Sequence, residues 1–256
     1  MSEFCKEAPA RFSERAKDYS ISRPGYPLEV LAKIATSLPI DLPRTAIDIG
    51  AGTGILTRVL LTNGFEVTAV EPSEQMRQEC DANCADFQSY VSRAGTAESI
   101  PVESQSASLI TAAQSFHWSN PLKARNECRR VLHPHGKVAI LWNNRDKRDA
   151  LQQRLTALFS SYGGERFEAQ RVGLEREEDV KLFFGKSVSR SVFDYEQSLT
   201  EEEFVALGRS RSYMPKPGTE LDRSAIEHLK ALHQEFANGG LAAIRYQTHM
   251  YLDVLG

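Results

Sequence analysis

Residues Ile47–Gly54 read IDIGAGTG, a short apolar run that ends in an acid and then places glycines at every second position. A glycine-rich turn after a strand brings a ligand against bare backbone. At a helix N-terminus its N–H groups suit a negatively charged group. The spacing separates the possible ligands. The dinucleotide fingerprint is G-x-G-x-x-G, whose third glycine lets helix and strand pack closely. Counted from Gly50 that position holds Ile55, and counted from Gly52 it holds Thr57. No Lys-Ser/Thr pair follows, which excludes a Walker-type loop. One acid of the dinucleotide arrangement survives: Glu71 ends the run FEVTAVE, where a carboxylate can accept both hydroxyls of an adenosine ribose.

These residues need a scaffold, and the chain supplies alternating strand and helix signals from about residue 44 to 143. Thr45–Ile49 is expected as a strand ending at the glycines. Thr53–Thr62 carries Leu56, Val59 and Leu60 at helical spacing and stops at Asn63-Gly64. Phe65–Glu71 is a second strand, and Ser73 caps the helix that follows Pro72. Phe87–Arg93 and Ala107–Gln114 give a third and a fourth strand. Ser119-Asn120-Pro121 opens a further helix with proline in its first turn. His133-Pro134-His135-Gly136 reads as a turn before a fifth strand, Lys137–Trp142. Repeated strand–helix–strand units imply a parallel sheet with helices on both faces, and ligands bind beyond the carboxyl ends of its strands. The glycine turn, Glu71, Gln114–Trp118 and Asn143–Arg145 all fall at those ends.

The rest is less regular. Residues 1–40 read as an N-terminal helical arm or lid and residues 146–256 as cap helices with closing strands, within a single domain over residues 1–256. Asp146–Tyr162, Thr200–Arg211 and Glu220–Asn238 look helical, and Val188–Tyr195 and Tyr246–Val254 look like strands. The acidic run Glu175–Asp179 reads as a solvated face and Glu201–Glu203 as a helix start. The 256 residues carry a net charge of −3, which gives no general attraction to nucleic acid or to an anionic membrane surface. No run of 18 apolar residues occurs, and the N-terminus lacks the apolar core of a signal peptide. The four cysteines fit neither a disulfide framework nor a CxxC metal site, so a reduced cytoplasmic protein without metal is expected.

AIDIGAGTG with Glu71, AGTAESIPVESQSASLITAAQSFHW (Ala94–Trp118) and RVLHPHGKVAILWN (Arg130–Asn143) together resemble the class I S-adenosylmethionine-dependent methyltransferases of small-molecule type. FSERAKDYSISRPGYP (Phe12–Pro27) resembles their trans-aconitate-methyltransferase-like branch, where such a segment closes over the cofactor. The resemblance covers residues 12–143 well and the remainder loosely. It implies an α/β, Rossmann-like seven-stranded sheet, mostly parallel with an antiparallel last strand, under a helical lid or cap. It also implies S-adenosylmethionine as cofactor and S-adenosylhomocysteine as product. Thr96 stands where the family often has an aspartate, which shifts the adenine tie towards backbone at Ala97, beside Glu98.

On that reading the glycine turn (Gly50, Ala51, Gly52, Gly54) receives the carboxylate of the cofactor's methionine end. Asp48 or the Gly50 carbonyl takes its ammonium, Glu71 the ribose, and Met76 or Ile100 packs on adenine, with Pro72 and Gln114 alongside. Tyr19, Tyr26, Phe116, His117, Trp118 and Trp142 are candidate aromatic walls near the sulfonium and the acceptor, with Trp118 and Trp142 read as cavity lining or core rather than chemistry. His117 is either a general base or a hydrogen-bonding wall residue. Arg23 and Arg211 are candidate clamps for a carboxylate on the acceptor, or else surface or capping arginines. Expected partners are a small-molecule methyl acceptor, with O-, N- or C-methylation open, and at most a second copy of the chain. Two other functions compete: a cofactor-binding relative without turnover, and a macromolecule methyltransferase. The latter is disfavoured because Gln114-Ser115-Phe116-His117 replaces the Asn/Asp-Pro-Pro-Tyr/Phe motif after the fourth strand. A nicotinamide oxidoreductase ranks last.

Overall fold

The computed structural model describes residues 23–170 and 175–256. Seven strands form one sheet in the order β3-β2-β1-β4-β5-β7-β6. They are β1 (Thr45–Ile49), β2 (Glu66–Val70), β3 (Tyr90–Arg93), β4 (Ala107–Ala113), β5 (Leu132–Arg145), β6 (Arg190–Leu199) and β7 (Ala242–Asp253). β1 pairs in parallel with β2 and β4, β2 with β3, and β4 with β5, while the last strands run antiparallel. The chain builds outward from β1 to β2 and β3, then returns to lay β4 on the other side of β1. That reversal of order is where a doubly wound sheet opens a crevice.

The described residues fall into two compact units. The first comprises Gly25–Asn143 with the described residues of Leu174–Phe193 and Thr248–Gly256. Its helices are α1 (Leu28–Ser37), α2 (Ile55–Thr62), α3 (Glu74–Cys84), α4 (Pro121–Val131) and α7 (Glu177–Phe184). β4 is buried at six of its seven positions, as a central strand covered on both faces must be. Leu109 packs with Leu60, Leu141 and Ile34 in one cluster, and Ile110 with Val138, Ile140 and Phe183 in another. Each such fully buried aliphatic side chain contributes roughly 1.5–3 kcal/mol. The capping signals are used as the sequence suggests: Ser73 Oγ accepts from Met76 N, and Asn120 Oδ1 accepts from Lys123 N with Pro121 in the first turn.

The second unit holds the described residues of Met1–Pro24, Asn144–Gly173 and Asp194–Gln247. Helices α5 (Ala150–Gly163), α8 (Glu201–Arg209) and α9 (Glu220–Phe236) supply Leu155, Phe159, Phe204, Leu207 and Leu229 to its own core, and α6 (Glu165–Gln170) follows α5. Thr200 and Glu203 form a reciprocal capping box at the start of α8, so the acidic run there does begin a helix.

Several elements differ from the sequence reading. The expected strand from Phe87 starts only at Tyr90, because Phe87 N still bonds to Cys84 O at the end of α3. β5 includes the expected turn as an interruption. Ala107 faces Leu132 and Leu109 faces Lys137, so His133–Gly136 loop out, with His135 at φ +66°. Helix α7 was not expected. Its Glu177, Glu178 and Asp179 occupy the first turn, where the helix dipole favours acids. Glu175 is not part of a solvated face: its carboxylate lies 2.8 Å from both His249 Nδ1 and the Tyr251 hydroxyl. Of the N-terminal arm, α1 is seen, and the remainder of residues 1–22 lies outside the described residues.

Candidate active site

The carboxyl ends of β1, β2 and β4 meet in register, with Ile49 beside Val70 and Asp48 beside Thr111. Past β1 the backbone turns sharply: Gly50 N and Ala51 N both donate to Val70 O, at 2.7 and 3.3 Å. Ser115 Oγ donates to Ile49 O at 2.6 Å, pinning the segment after β4 against the turn. Gly50 sits at φ +65°, and any Cβ there would overlap Ser115 Cβ and come within 2.8 Å of its hydroxyl. Gly52 is different. Its φ is +58°, but a Cβ there would meet nothing within 4 Å among the described residues. Gly54 then caps α2, and no side-chain cap hydrogen bond is made at that helix start among the described residues.

Two acids sit under and beside the turn. Asp48 is 1% exposed, and its carboxylate accepts from Thr57 Oγ1 at 2.8 Å and Thr111 Oγ1 at 2.7 Å. Its part is therefore to brace β1 against α2 and β4, and its oxygens do not open towards a ligand. Burial pushes the carboxyl up to about 6, against the two threonine hydrogen bonds. Because the folded value lies above the ordinary 3.8, this group's stabilisation is complete below that pH and is lost as pH rises through 6. The loss is on the order of 3 kcal/mol. Asp48→Asn is expected to remove that fall in stability between pH 4 and 6, read from denaturant midpoints. An unaltered pH profile would show that Asp48 does not titrate there.

Glu71 ends the second strand region with Oε2 accepting from Gly52 N at 3.0 Å and Oε1 from Ser73 N at 2.9 Å. Desolvation raises its pKa, opposed by those two amide hydrogen bonds. A carboxylate oxygen accepts more than one hydrogen bond, so both oxygens retain capacity for ligand hydroxyls. Next to it, Pro72 is exposed and Met76 is 5% exposed on α3, leaving little of its side chain for a ligand. Thr96 and Ser99 form a two-way backbone bridge around Ala97 and Glu98. Glu98 Oε1 accepts from Asn120 N at 2.6 Å, and Gly95 packs close to Val70 at the end of β2. The loop is thus held at the same end of the sheet as Glu71.

After β4, Gln114 adopts φ +58°, donating its N–H to Leu141 O and its side-chain amide to Asn143 O at 3.2 Å. Asn143 in turn donates to Gly25 O at 2.9 Å and lies 2.6 Å from Thr248 Oγ1. Tyr26, half-buried, follows that anchored glycine. Phe116 and Trp142, expected as acceptor walls, are core residues: each is at least 95% buried. Phe116 is packed edge-on against Phe183 and Trp142, and Trp142 against Tyr251. Their ring surfaces are taken up by the apolar interior. His117 is half-buried beside Trp118, which is 46% exposed. Its Nδ1 is buried and makes no hydrogen bond. Desolvation, with Arg176 nearby, lowers its pKa to about 4, so the imidazole is neutral at pH 7. Arg23 and Arg211 lie in the second unit, and Tyr19 lies outside the described residues. Sequence reasoning passed over Thr57, Thr111 and Ser115. The signal for Thr111 is a polar residue in the middle of a strand that is buried on both faces.

The Methyltransferase domain family matches residues 47–140, the span from the glycine turn to β5. An uncharacterized methyltransferase of Mycobacterium tuberculosis is 30% identical over 240 residues, covering 93% of this chain and 92% of that protein. A methyltransferase-like protein of Schizosaccharomyces pombe is 28% identical over 244 residues, again 93% and 92%. The chain belongs to the class I S-adenosylmethionine-dependent methyltransferases. A proposed type II methyltransferase of Anaeromyxobacter dehalogenans shares the methyltransferase fold at TM-score 0.60 and 18% identity, over 90% of this chain and 96% of its own. The narrower likeness of Phe12–Pro27 to the trans-aconitate branch falls mostly on residues outside those described, and it stays a resemblance.

The methyltransferase's turn fits the cofactor on its own geometry. A Cβ at Gly52 would meet nothing within 4 Å and the α2 start makes no side-chain cap hydrogen bond among the described residues, and Glu71 stands directly behind Gly52 with acceptor capacity to spare. Among the described residues no group of three or more His, Cys, Asp and Glu side chains is placed to hold a metal ion. No helix among them is long and apolar enough to cross a membrane.

Proposed function

We propose that this methyltransferase transfers the methyl group of S-adenosylmethionine to a small-molecule acceptor. The glycine turn brings the cofactor's methionine end against the backbone at Gly52 and the N-terminus of α2, Glu71 holds its ribose, and the Thr96–Glu98 loop with Pro72 and Met76 its adenine. Asp48 and Gln114 hold the frame around them. When bound, the cofactor supplies an electrophilic methyl on a positively charged sulfur. The protein's part is alignment of the acceptor and exclusion of water, which together can lower a barrier by up to ~7–11 kcal/mol. The observation that carries the small-molecule reading is the segment after β4. Gln114 is tied inward to Asn143, Ser115 and Phe116 stand where macromolecular amine methyltransferases carry a Pro-Pro pair, and His117 offers a neutral imidazole at the position of their Tyr or Phe. The net charge of −3 agrees with it. We place the protein in the cytoplasm as a monomer or homodimer. A malonyl-[acyl-carrier protein] O-methyltransferase of Methylococcus capsulatus is 31% identical over 101 residues, 38% of this chain and 37% of that protein.

The test is calorimetric titration with S-adenosylmethionine, followed by release of S-adenosylhomocysteine over a panel of small organic acids, amines and alcohols. Turnover with tRNA or protein acceptors alone would overturn the small-molecule reading, and binding without any turnover would favour the non-catalytic alternative. His117 acts here as a neutral hydrogen-bonding group. A base with a pKa near 4 has little driving force to take a proton from an acceptor at pH 7. His117→Ala is therefore expected to lower kcat less than about tenfold, whereas loss of a general base costs about 10²–10⁴-fold. The depressed value also fixes a stability window: the contribution of neutral His117 is present above pH 6.5 and is lost as pH falls through 4. A histidine proton titration by NMR checks both statements, and a midpoint near 6.5 would restore the general base.

A further inference from the structure

The last turn of α3 carries two thiols that the cofactor site does not use. Cys80 and Cys84 stand one helical turn apart, are 1% and 0% exposed, and are both free cysteines. Their sulfurs converge on the glycine turn. A Cβ added to Gly54 would lie 2.8 Å from Cys80 Sγ and 3.3 Å from Cys84 Sγ. The two thiols are hydrogen-bonded to each other. That bond, with the Arg58 guanidinium adding to it, holds the Cys84 thiol below its usual range, while the same bond and burial push Cys80 up. Between them, Asn83 Nδ2 donates to Thr53 O at 2.9 Å. This one turn of helix therefore braces the glycine turn at two consecutive residues, Thr53 and Gly54. Cys84 is the final residue of α3, where a helix frays at low cost. Packing accounts for two small side chains beneath a glycine. It does not call for two sulfurs bonded to each other, one of them favoured as thiolate.

We propose that Cys80 and Cys84 are an oxidisable dithiol, which a hydroperoxide closes into a disulfide that loosens the glycine turn. The Cys84 thiolate attacks one oxygen of hydrogen peroxide, the O–O bond breaks, and the leaving hydroxide takes up the proton that Cys84 had released. The Cys80 sulfur then displaces the oxygen of the sulfenic acid so formed. The S–S bond forms, the S–O bond breaks, and hydroxide leaves with the Cys80 proton as water. Two thiols lose two electrons in all, and the peroxide is reduced to two waters. Cβ atoms four residues apart on a helix lie about 5–6 Å from each other, and a disulfide draws them to about 3.5–4.5 Å. The last turn of α3 must then distort, which draws Asn83 and the two sulfurs away from Thr53 and Gly54. That the backbone so released is the cofactor's rests on the reading above. The dithiol then couples cofactor affinity to peroxide.

The whole protein is treated with hydrogen peroxide, titrated with S-adenosylmethionine, and digested with trypsin without reduction. Both thiols fall in one peptide, Gln78–Arg93, which is expected to appear two hydrogens lighter. Affinity for S-adenosylmethionine is expected to fall about tenfold or more and to return with dithiothreitol. Cys84→Ser is expected to bind the cofactor as the native protein does and to keep that affinity in peroxide. If Cys84→Ser fails to fold, Cys84→Ala, which keeps an apolar side chain beneath Gly54, decides. An unaltered Gln78–Arg93 peptide, native affinity after the disulfide has formed, or an equal loss in the Cys84 variant overturns the proposal. A native protein that binds no S-adenosylmethionine before oxidation refutes the cofactor reading instead, and the peptide mass still judges the dithiol.

Discussion

Gly52→Val is expected to reduce S-adenosylmethionine affinity by about a hundredfold or more while leaving the protein folded. The two effects separate because of where the residue points. A Cβ at Gly52 meets no atom within 4 Å among the described residues, so it displaces none of them. The remaining cost to the fold is the φ of +58°, on the order of 1–2 kcal/mol for a residue with a Cβ. The room that spares the fold is the room through which a ligand reaches the backbone, and valine fills it. Gly50→Ala gives the opposite pattern. Its Cβ would overlap Ser115, so the damage falls on stability before binding is reached. Melting curves and calorimetry on both variants check this. Unaltered affinity in Gly52→Val would remove the glycine turn from the cofactor site.

Glu71→Ala is the second large effect, and it acts twice. It removes the acceptors of Gly52 N and Ser73 N, loosening the turn and the entry to α3, and it removes the carboxylate proposed for the ribose. Each lost charge-assisted bond is worth about 1.5–3 kcal/mol, so cofactor affinity is expected to drop by two orders of magnitude or more. Glu71→Gln keeps one amide acceptor and the side-chain volume, and should fall between native protein and Glu71→Ala. A cofactor analogue lacking the ribose hydroxyls discriminates the two contributions. It should bind native protein weakly and lose little further on Glu71→Ala. An equal loss for both ligands would mean that Glu71 acts only by bracing the turn.

The half of the molecule with the glycine turn was legible because its signals are local. Ser73 and Asn120 cap the helices they announce, and the absence of a glycine at residue 55 narrows the ligand by spacing alone. What escaped reading depends on contacts far apart in the chain. Asp48 looks like a ligand contact until Thr57 and Thr111 are seen to occupy it. Phe116 and Trp142 look like walls because aromatics in loops often are, but Phe183 of the unforeseen α7 and Tyr251 of β7 enclose them.

The junction at Asn143 also bears on the order in which the chain acquires its structure. Its side chain joins Gly25 and Thr248, partners 118 and 105 positions away, whereas the Glu71 brace on Gly52 spans 19. Closing the longer loops carries more chain entropy, and contacts of long range slow folding. The cofactor turn and its acid can thus assemble early, from a short stretch of polypeptide. The segment from Gly25 and the end of β7 are expected to join afterwards, an order that pulse-labelled amide exchange during refolding would read.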